Sequence, residues 1–139
     1  MPPHTTSNRS LAFPSELLER LDAGYRDSPD YDPRGVGLYV YAVIHECRYV
    51  YSPSEFSVAA ICHAAEKANQ VAMALFRREY PDFFSEGFKW YECMSANASD
   101  YALDNSVEWD VRGDELSLTV HEAGDGDEFQ IYVQEFIIR

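Results

Sequence analysis

The chain has 139 residues, 46% of them hydrophobic, and its 24 acidic against 11 basic residues give a formal net charge of -13. This length suits a single domain with one core, and the hydrophobic content excludes a chain that stays disordered. The acidic excess leaves no basic stripe that could neutralise phosphates, so direct binding to nucleic acid or to an anionic membrane is disfavoured.

Residues 1–10 are polar and lack periodicity, which predicts a flexible N-terminal tail ahead of a single domain over residues 11–139. The tail has neither the charged start nor the apolar core of a secretory signal, and no run of residues is long enough to cross a bilayer. The odd number of cysteines, three, indicates reduced thiols. We therefore expect a soluble cytoplasmic protein.

Pro14 opens a short predicted helix with Leu17, Leu18 and Leu21 on its apolar face, and Gly24 is placed to end it. Residues 25–35, rich in proline, aspartate and tyrosine, have the composition of a loop.

Residues 37–45 alternate in the manner of a strand, and both faces of that strand are apolar or aromatic. One face carries Leu38, Val40, Ala42 and Ile44. The other face carries Tyr39, Tyr41, Val43 and His45. A strand of this kind usually lies inside a sheet, and its second face must be covered by another part of the chain, a ligand or a second subunit.

A turn at residues 52–54 precedes a predicted strand over residues 55–62, in which Phe56, Val58 and Ala60 alternate with Ser57, Ala59 and Ile61. An amphipathic helix then begins near His63 or Ala64, and Pro81 stops it. Its predicted inner stripe consists of Ala64, Ala68, Val71, Ala72, Leu75 and Phe76. The residues predicted to face outward are Lys67, Asn69, Gln70, Arg77 and Arg78.

Residues 82–106 carry the weakest pattern, with Phe88, Trp90 and Tyr91 as core anchors on a short strand or a broken helix. Residues 107–121 predict a hairpin that turns at Gly113, and residues 129–138 predict a final strand. Short connections between consecutive strands favour antiparallel pairing. We therefore expect an α+β fold: an antiparallel sheet of four to five strands, one long helix packed on one face and a short N-terminal helix.

The run AICHAAEKANQVA, residues 60–72, joins the end of a strand to a helix that begins E-x-A-N-x-x-A. Together with the strand at residues 38–44 and the trailing hairpin, this junction resembles small uncharacterised α+β proteins predicted from filamentous fungal genomes. The resemblance implies the same order of elements and a fungal source. Those proteins have no assigned activity, so the resemblance implies no functional residue.

Histidine is the side chain suited to proton transfer near neutral pH, and His45 and His121 each end a predicted strand. They are the candidate catalytic residues if their strands are neighbours, although two unrelated strand-end histidines are the simpler interpretation. The pairs His45 with Cys47, Cys62 with His63 and His121 with Glu122 lack the spacing of a zinc site. The sequence predicts no metal, no cofactor and no phosphate-binding or nucleophile motif.

The main functional clue is an aromatic sheet face. Under simple alternation this face carries Tyr39, Tyr41, Val43, Tyr132, Phe136 and Ile138, with His121 beside them. Rings on such a face are typical of an interface core or a pocket wall. The alternative is that the N-terminal helix and residues 25–35 fold over this face and close a second core.

Three functions remain open. The first is a non-enzymatic interaction module that forms a homodimer, or binds another protein, through the aromatic face. The second is a small enzyme or small-molecule-binding protein whose pocket is lined by Tyr39, Tyr41, His45 and His121, with a histidine as general base. The third is an acidic decoy for a basic protein.

Overall fold

The computed structural model describes residues 13–27, 38–85, 88–93, 106–121 and 126–138. These residues form two α-helices, a short 3-10 helix and six strands. The helices are α1 (Ser15–Asp27) and α2 (Ala65–Glu79), and the 3-10 helix is Pro81–Phe84. The strands are β1 (Leu38–Arg48), β2 (Glu55–Cys62), β3 (Lys89–Glu92), β4 (Ser106–Arg112), β5 (Glu115–His121) and β6 (Glu128–Ile138). The predicted tail at residues 1–10 lies outside the described residues.

The six strands form one sheet in the order β2-β1-β6-β5-β4-β3. Four of its neighbouring pairs are antiparallel, and β3 runs parallel to β4. The α+β class is as predicted, but the expected antiparallel sheet of four to five strands is wrong in count and in type. The additional strand, β3, has only four residues, too few for alternation to distinguish a strand from a broken helix.

Both helices pack on the same face of the sheet, where they share one core with its strands. Helix α2 buries Ala65, Ala68, Asn69, Ala72, Leu75 and Phe76. The small alanines let the helix lie close to the strands, and Pro81 ends it as predicted. Two details of the predicted stripe are wrong: Ala64 is the exposed N-cap and Asn69 is fully buried.

Helix α1 is longer than predicted: it continues past Gly24 and ends at Asp27. Gly24 is buried, and a Cβ atom at this position would lie 1.9 Å from the carbonyl oxygen of Gly113. Glycine is therefore required here for close approach of α1 to the β4–β5 turn rather than to end the helix. Gly113 itself has a positive φ of 62°, as the predicted tight turn requires.

Candidate functional site

The pairing of β1 with β6 decides which side chains share a face of the sheet, because directly opposed residues point to the same side. Tyr41 lies opposite Glu135, and Val43 lies opposite Val133. Val43 is fully buried in the core beneath the helices. Tyr39, Tyr41 and Val43 therefore occupy the helix side of the sheet.

The other three predicted interface residues, Tyr132, Phe136 and Ile138, have the opposite parity along β6, and Tyr132 lies opposite Ile44 and Phe136 opposite Val40. They occupy the face away from the helices, which we call the open face. The prediction that all six side chains share one aromatic face is therefore wrong. Alternation within each strand is as predicted, but the register that joins the two strands offsets them by one position.

The two candidate catalytic histidines also lie on opposite faces. His45 points to the helix side, where its Nε2 lies 2.6 Å from the hydroxyl of Tyr80 and 3.7 Å from Sγ of Cys47. Burial lowers the pKa of His45 below its usual value, and the charge of Glu79 opposes part of that shift.

His121 lies on the open face between two carboxylates. Its Nε2 is 3.1 Å from Oε1 of Glu108, and its Nδ1 is 3.5 Å from Oε2 of Glu128. The sheet therefore separates His121 from His45, and the predicted pocket of Tyr39, Tyr41, His45 and His121 is not formed. The two histidines therefore cannot act together as acid and base on one substrate.

The open face divides into an apolar and a polar half. The apolar half consists of β2, β1 and the end of β6. Its exposed side chains, which we call the apolar surface, are Phe56 (69% exposed), Val58 (51%), Ile61 (66%), Phe136 (44%) and Ile138 (53%). Val40, Ala42 and Ile44 of β1 lie between them and are buried. None of the described helices packs on this face.

A β-bulge in β2 brings Ile61 onto the apolar surface. Simple alternation places Ile61 on the opposite side from Phe56 and Val58. The register of β1 and β2 shifts between Val43 and Ile44, so that Ile61 lies opposite Ala42 and Val58 lies opposite Ile44. Ala42 and Ile44 point to the same face, and so do their partners. Alternation in the sequence predicts a strand for these β2 residues but no shared surface, because nothing in their spacing reveals the bulge.

The polar half of the open face carries charges that are already paired. Arg48 donates hydrogen bonds to Glu46 at 3.1 Å and to Glu128 at 2.9 Å, and His121 joins Glu128 to Glu108. A shallow groove of about 350 Å³ runs along this half between β4, β5 and β6. Burial, reinforced by Glu46, raises the pKa of Tyr132 beside it. The polar half is therefore a hydrated surface next to the apolar one.

A larger groove of about 630 Å³ lies on the outer side of α2, lined by Phe13, Gln70, Met73, Ala74, Arg77 and Arg78. The guanidinium group of Arg77 lies 5.4 Å from the ring centre of Phe13 and 5.1 Å from that of Phe84. This geometry is a cation–π contact that holds α2 against its neighbours. Among the described residues, the lining contains no carboxylate, thiol or imidazole, and so these residues offer no group for acid–base or nucleophilic chemistry.

Within the described ranges, no three histidine, cysteine, aspartate or glutamate side chains converge closely enough to bind a metal ion. Neither of the described α-helices combines the length and the apolar character that a membrane-crossing segment needs.

Comparison of the chain with protein-family models, with curated proteins and with solved structures finds no match. The resemblance to fungal proteins therefore stays a prediction. Function has to be argued from the chain's own geometry, in which the apolar surface is the most prominent feature without an assigned role.

Proposed function

We propose that this protein is a non-enzymatic association module that binds a second copy of itself through the apolar surface. The observation that carries the proposal is the exposure of Phe56, Val58 and Ile61, three large apolar side chains in one short strand and on one face. Their exposed area, together with that of Phe136 and Ile138, is on the order of 500 Å². The largest apolar patch on a typical monomer covers about 300–600 Å² and is often functional, which makes this surface a candidate interaction site.

The distribution of charge favours this surface over the rest of the molecule as the site of self-association. The chain carries a net charge of -13, yet the apolar surface contains no ionisable side chain. On the same face Glu46 lies directly opposite Phe56, and Arg48 forms an ion pair with it at 3.1 Å. Two copies can therefore bring their apolar surfaces together without burying an unpaired charge, which would be costly.

The separation of His45 from His121 supports association over the enzyme alternative. A pocket enzyme needs its acid–base groups on one side of the sheet and near a cavity. The helix-side histidine is in contact with Tyr80, and the open-face histidine is in contact with two glutamates. These contacts are typical of structural histidines.

Sedimentation velocity tests the proposal. We expect the native chain to sediment as a dimer at tens of micromolar and the double variant Phe56→Ser, Ile61→Ser to sediment as a monomer, because it loses the two most exposed side chains of the surface. The matched control is Tyr51→Ser: Tyr51 is 92% exposed but precedes β2 and lies outside the surface. A native chain that is monomeric at these concentrations overturns the proposal.

A further inference from the structure

We infer that the second copy joins edge to edge, by antiparallel pairing of β2 with the β2 strand of that copy about a two-fold axis, so that the two sheets become one. This inference rests on the proposed self-association and narrows its contact to the β2 part of the apolar surface, Phe56, Val58 and Ile61. Phe136 and Ile138, on β6, lie outside the seam. It follows from the state of the two sheet edges, from the bulge in β2 and from the position of its single charge.

The two edges of the sheet differ in how well they are protected against pairing with a strand of another chain. The β3 edge has four residues, it begins with Lys89 and ends with Glu92, and Glu92 forms an ion pair with Arg20 of α1. Short length and charge are the usual protections of a sheet edge against pairing with another chain. The β2 edge has eight residues. Its first residue is Glu55, and the uncharged run FSVAAIC that follows contains neither proline nor lysine. It is the edge that presents a long, uncharged row of backbone donors and acceptors.

The bulge sets the register of the pairing. In a regular strand, residues 56 and 61 point to opposite faces and cannot oppose each other across an antiparallel seam. In β2 both Phe56 and Ile61 point to the open face, since their partners Glu46 and Ala42 do. A two-fold axis at the bulge therefore places Phe56 of one copy opposite Ile61 of the other, on the same face.

The same register matches two further pairs. Ser57 and Ala60 both point to the helix side, because they lie opposite His45 and Val43, so each can oppose the other across the seam. Glu55 and Cys62, opposite Cys47 and Tyr41, match in the same way. A shift of the two-fold axis by half a residue in either direction opposes open-face residues to helix-side residues. The arrangement centred on the bulge thus brings three pairs of residues into agreement, with Val58 opposite Ala59, the extra residue of the bulge, at the axis.

The charge of β2 is compatible with a second copy. Its single carboxylate, Glu55, begins the strand. In this register it opposes Cys62 of the other copy rather than the other Glu55. The two Glu55 positions are then about 23 Å apart along the seam, at about 3.3 Å per residue. That separation exceeds the Debye length of about 8 Å at physiological ionic strength. The seam therefore forms without a close contact between like charges.

Hydrogen exchange of the full chain, followed residue by residue at increasing concentration, tests this geometry. We expect backbone amides of β2 to exchange about tenfold more slowly once the dimer forms, because edge pairing gives them acceptors. Amides of β3, at the other edge, serve as the internal control and should not change. The variant Phe136→Ser should leave dimerisation unchanged, since β6 lies two strands away from β2.

The outcomes separate the inference from the proposed function. The inference and the proposed function are both supported if the β2 amides exchange more slowly at higher concentration and the Phe136→Ser variant still forms the dimer. A dimer whose β2 amides exchange at the same rate as in the monomer, and that Phe136→Ser weakens at least about tenfold, overturns edge pairing and leaves face-to-face association standing. A chain that stays monomeric overturns both. Phe136 is 44% exposed, so the Phe136→Ser variant should fold. Its circular dichroism spectrum checks that it does.

Discussion

The side-chain amide of Asn69 donates a hydrogen bond of 2.7 Å to the carbonyl oxygen of Asp114, although Asn69 lies on a helix and Asp114 in a strand turn. The same amide donates to the hydroxyl of Tyr25 at 3.0 Å, and its oxygen accepts a 3.1 Å bond from the backbone N–H of Leu116. One fully buried side chain thus links α2, α1 and the start of β5.

Replacing Asn69 with alanine should destabilise the fold by about 2–4 kcal/mol, because the buried N–H of Leu116 and carbonyl of Asp114 lose a partner that water cannot easily replace. Urea denaturation followed by circular dichroism measures the loss. The matched control is Gln70→Ala, at the next and exposed position of α2, which should change the free energy of unfolding by less than about 0.5 kcal/mol. Equal effects of the two substitutions would contradict this role for Asn69.

Replacing Gly24 with alanine should destabilise the protein by at least about 2 kcal/mol, because the added Cβ would lie 1.9 Å from the carbonyl oxygen of Gly113. Intrinsic helix propensity alone predicts the opposite sign, a gain of about 1 kcal/mol. Asp22→Ala, at an exposed position of the same helix, provides the comparison. Thermal denaturation checks both, and a raised melting temperature for Gly24→Ala would show that α1 can move away from the turn.

Local patterns in the sequence predict most of the elements. The bounds of β2 match the predicted 55–62, the end of α2 at Pro81 is set by the chemistry of proline, and the turn at Gly113 follows from its backbone freedom. Each of these features depends on a few neighbouring residues, which is why the sequence alone contains them.

The composition of the faces could not be predicted in the same way, because it depends on which residues of distant strands are opposed. Tyr41 and Tyr132 separate because of the β1–β6 register, and Ile61 joins Phe56 because of one bulge. The polarity of Asn69 predicts the outer side of α2, but its buried side chain forms hydrogen bonds with groups 44 to 47 residues away. A one-residue shift exchanges the two faces of a strand, and local patterns do not fix such shifts.

The burial of His45 should make the fold less stable in mild acid. Burial holds the pKa of His45 below its usual value of 6.5, against a smaller opposing effect of Glu79. The unfolded chain therefore binds the proton more readily than the native chain as the pH falls below about 6.5. The contribution of His45 to stability is complete above that pH and declines below it.

The variant His45→Gln isolates this effect, because carboxylates titrate in both proteins and cancel in the comparison. We expect the difference in urea midpoint between the native chain and the variant to be larger at about pH 7.5 than at about pH 5.5. Equal differences at the two pH values would mean that His45 is protonated as easily in the folded as in the unfolded chain.

Self-association should become stronger as salt is added, because each copy carries a net charge of -13 and the two copies repel each other at long range. Interfaces held by ion pairs behave in the opposite way, since salt weakens them. The apolar surface contains no ionisable side chain, so screening removes the repulsion without weakening the contact.

Sedimentation equilibrium in low and physiological sodium chloride measures the change in dissociation constant. The control is Tyr51→Ser, which keeps the charge and should show the same salt dependence. A dissociation constant that rises with salt would indicate that charged groups of the polar half, such as Arg48 and Glu128, form the contact instead.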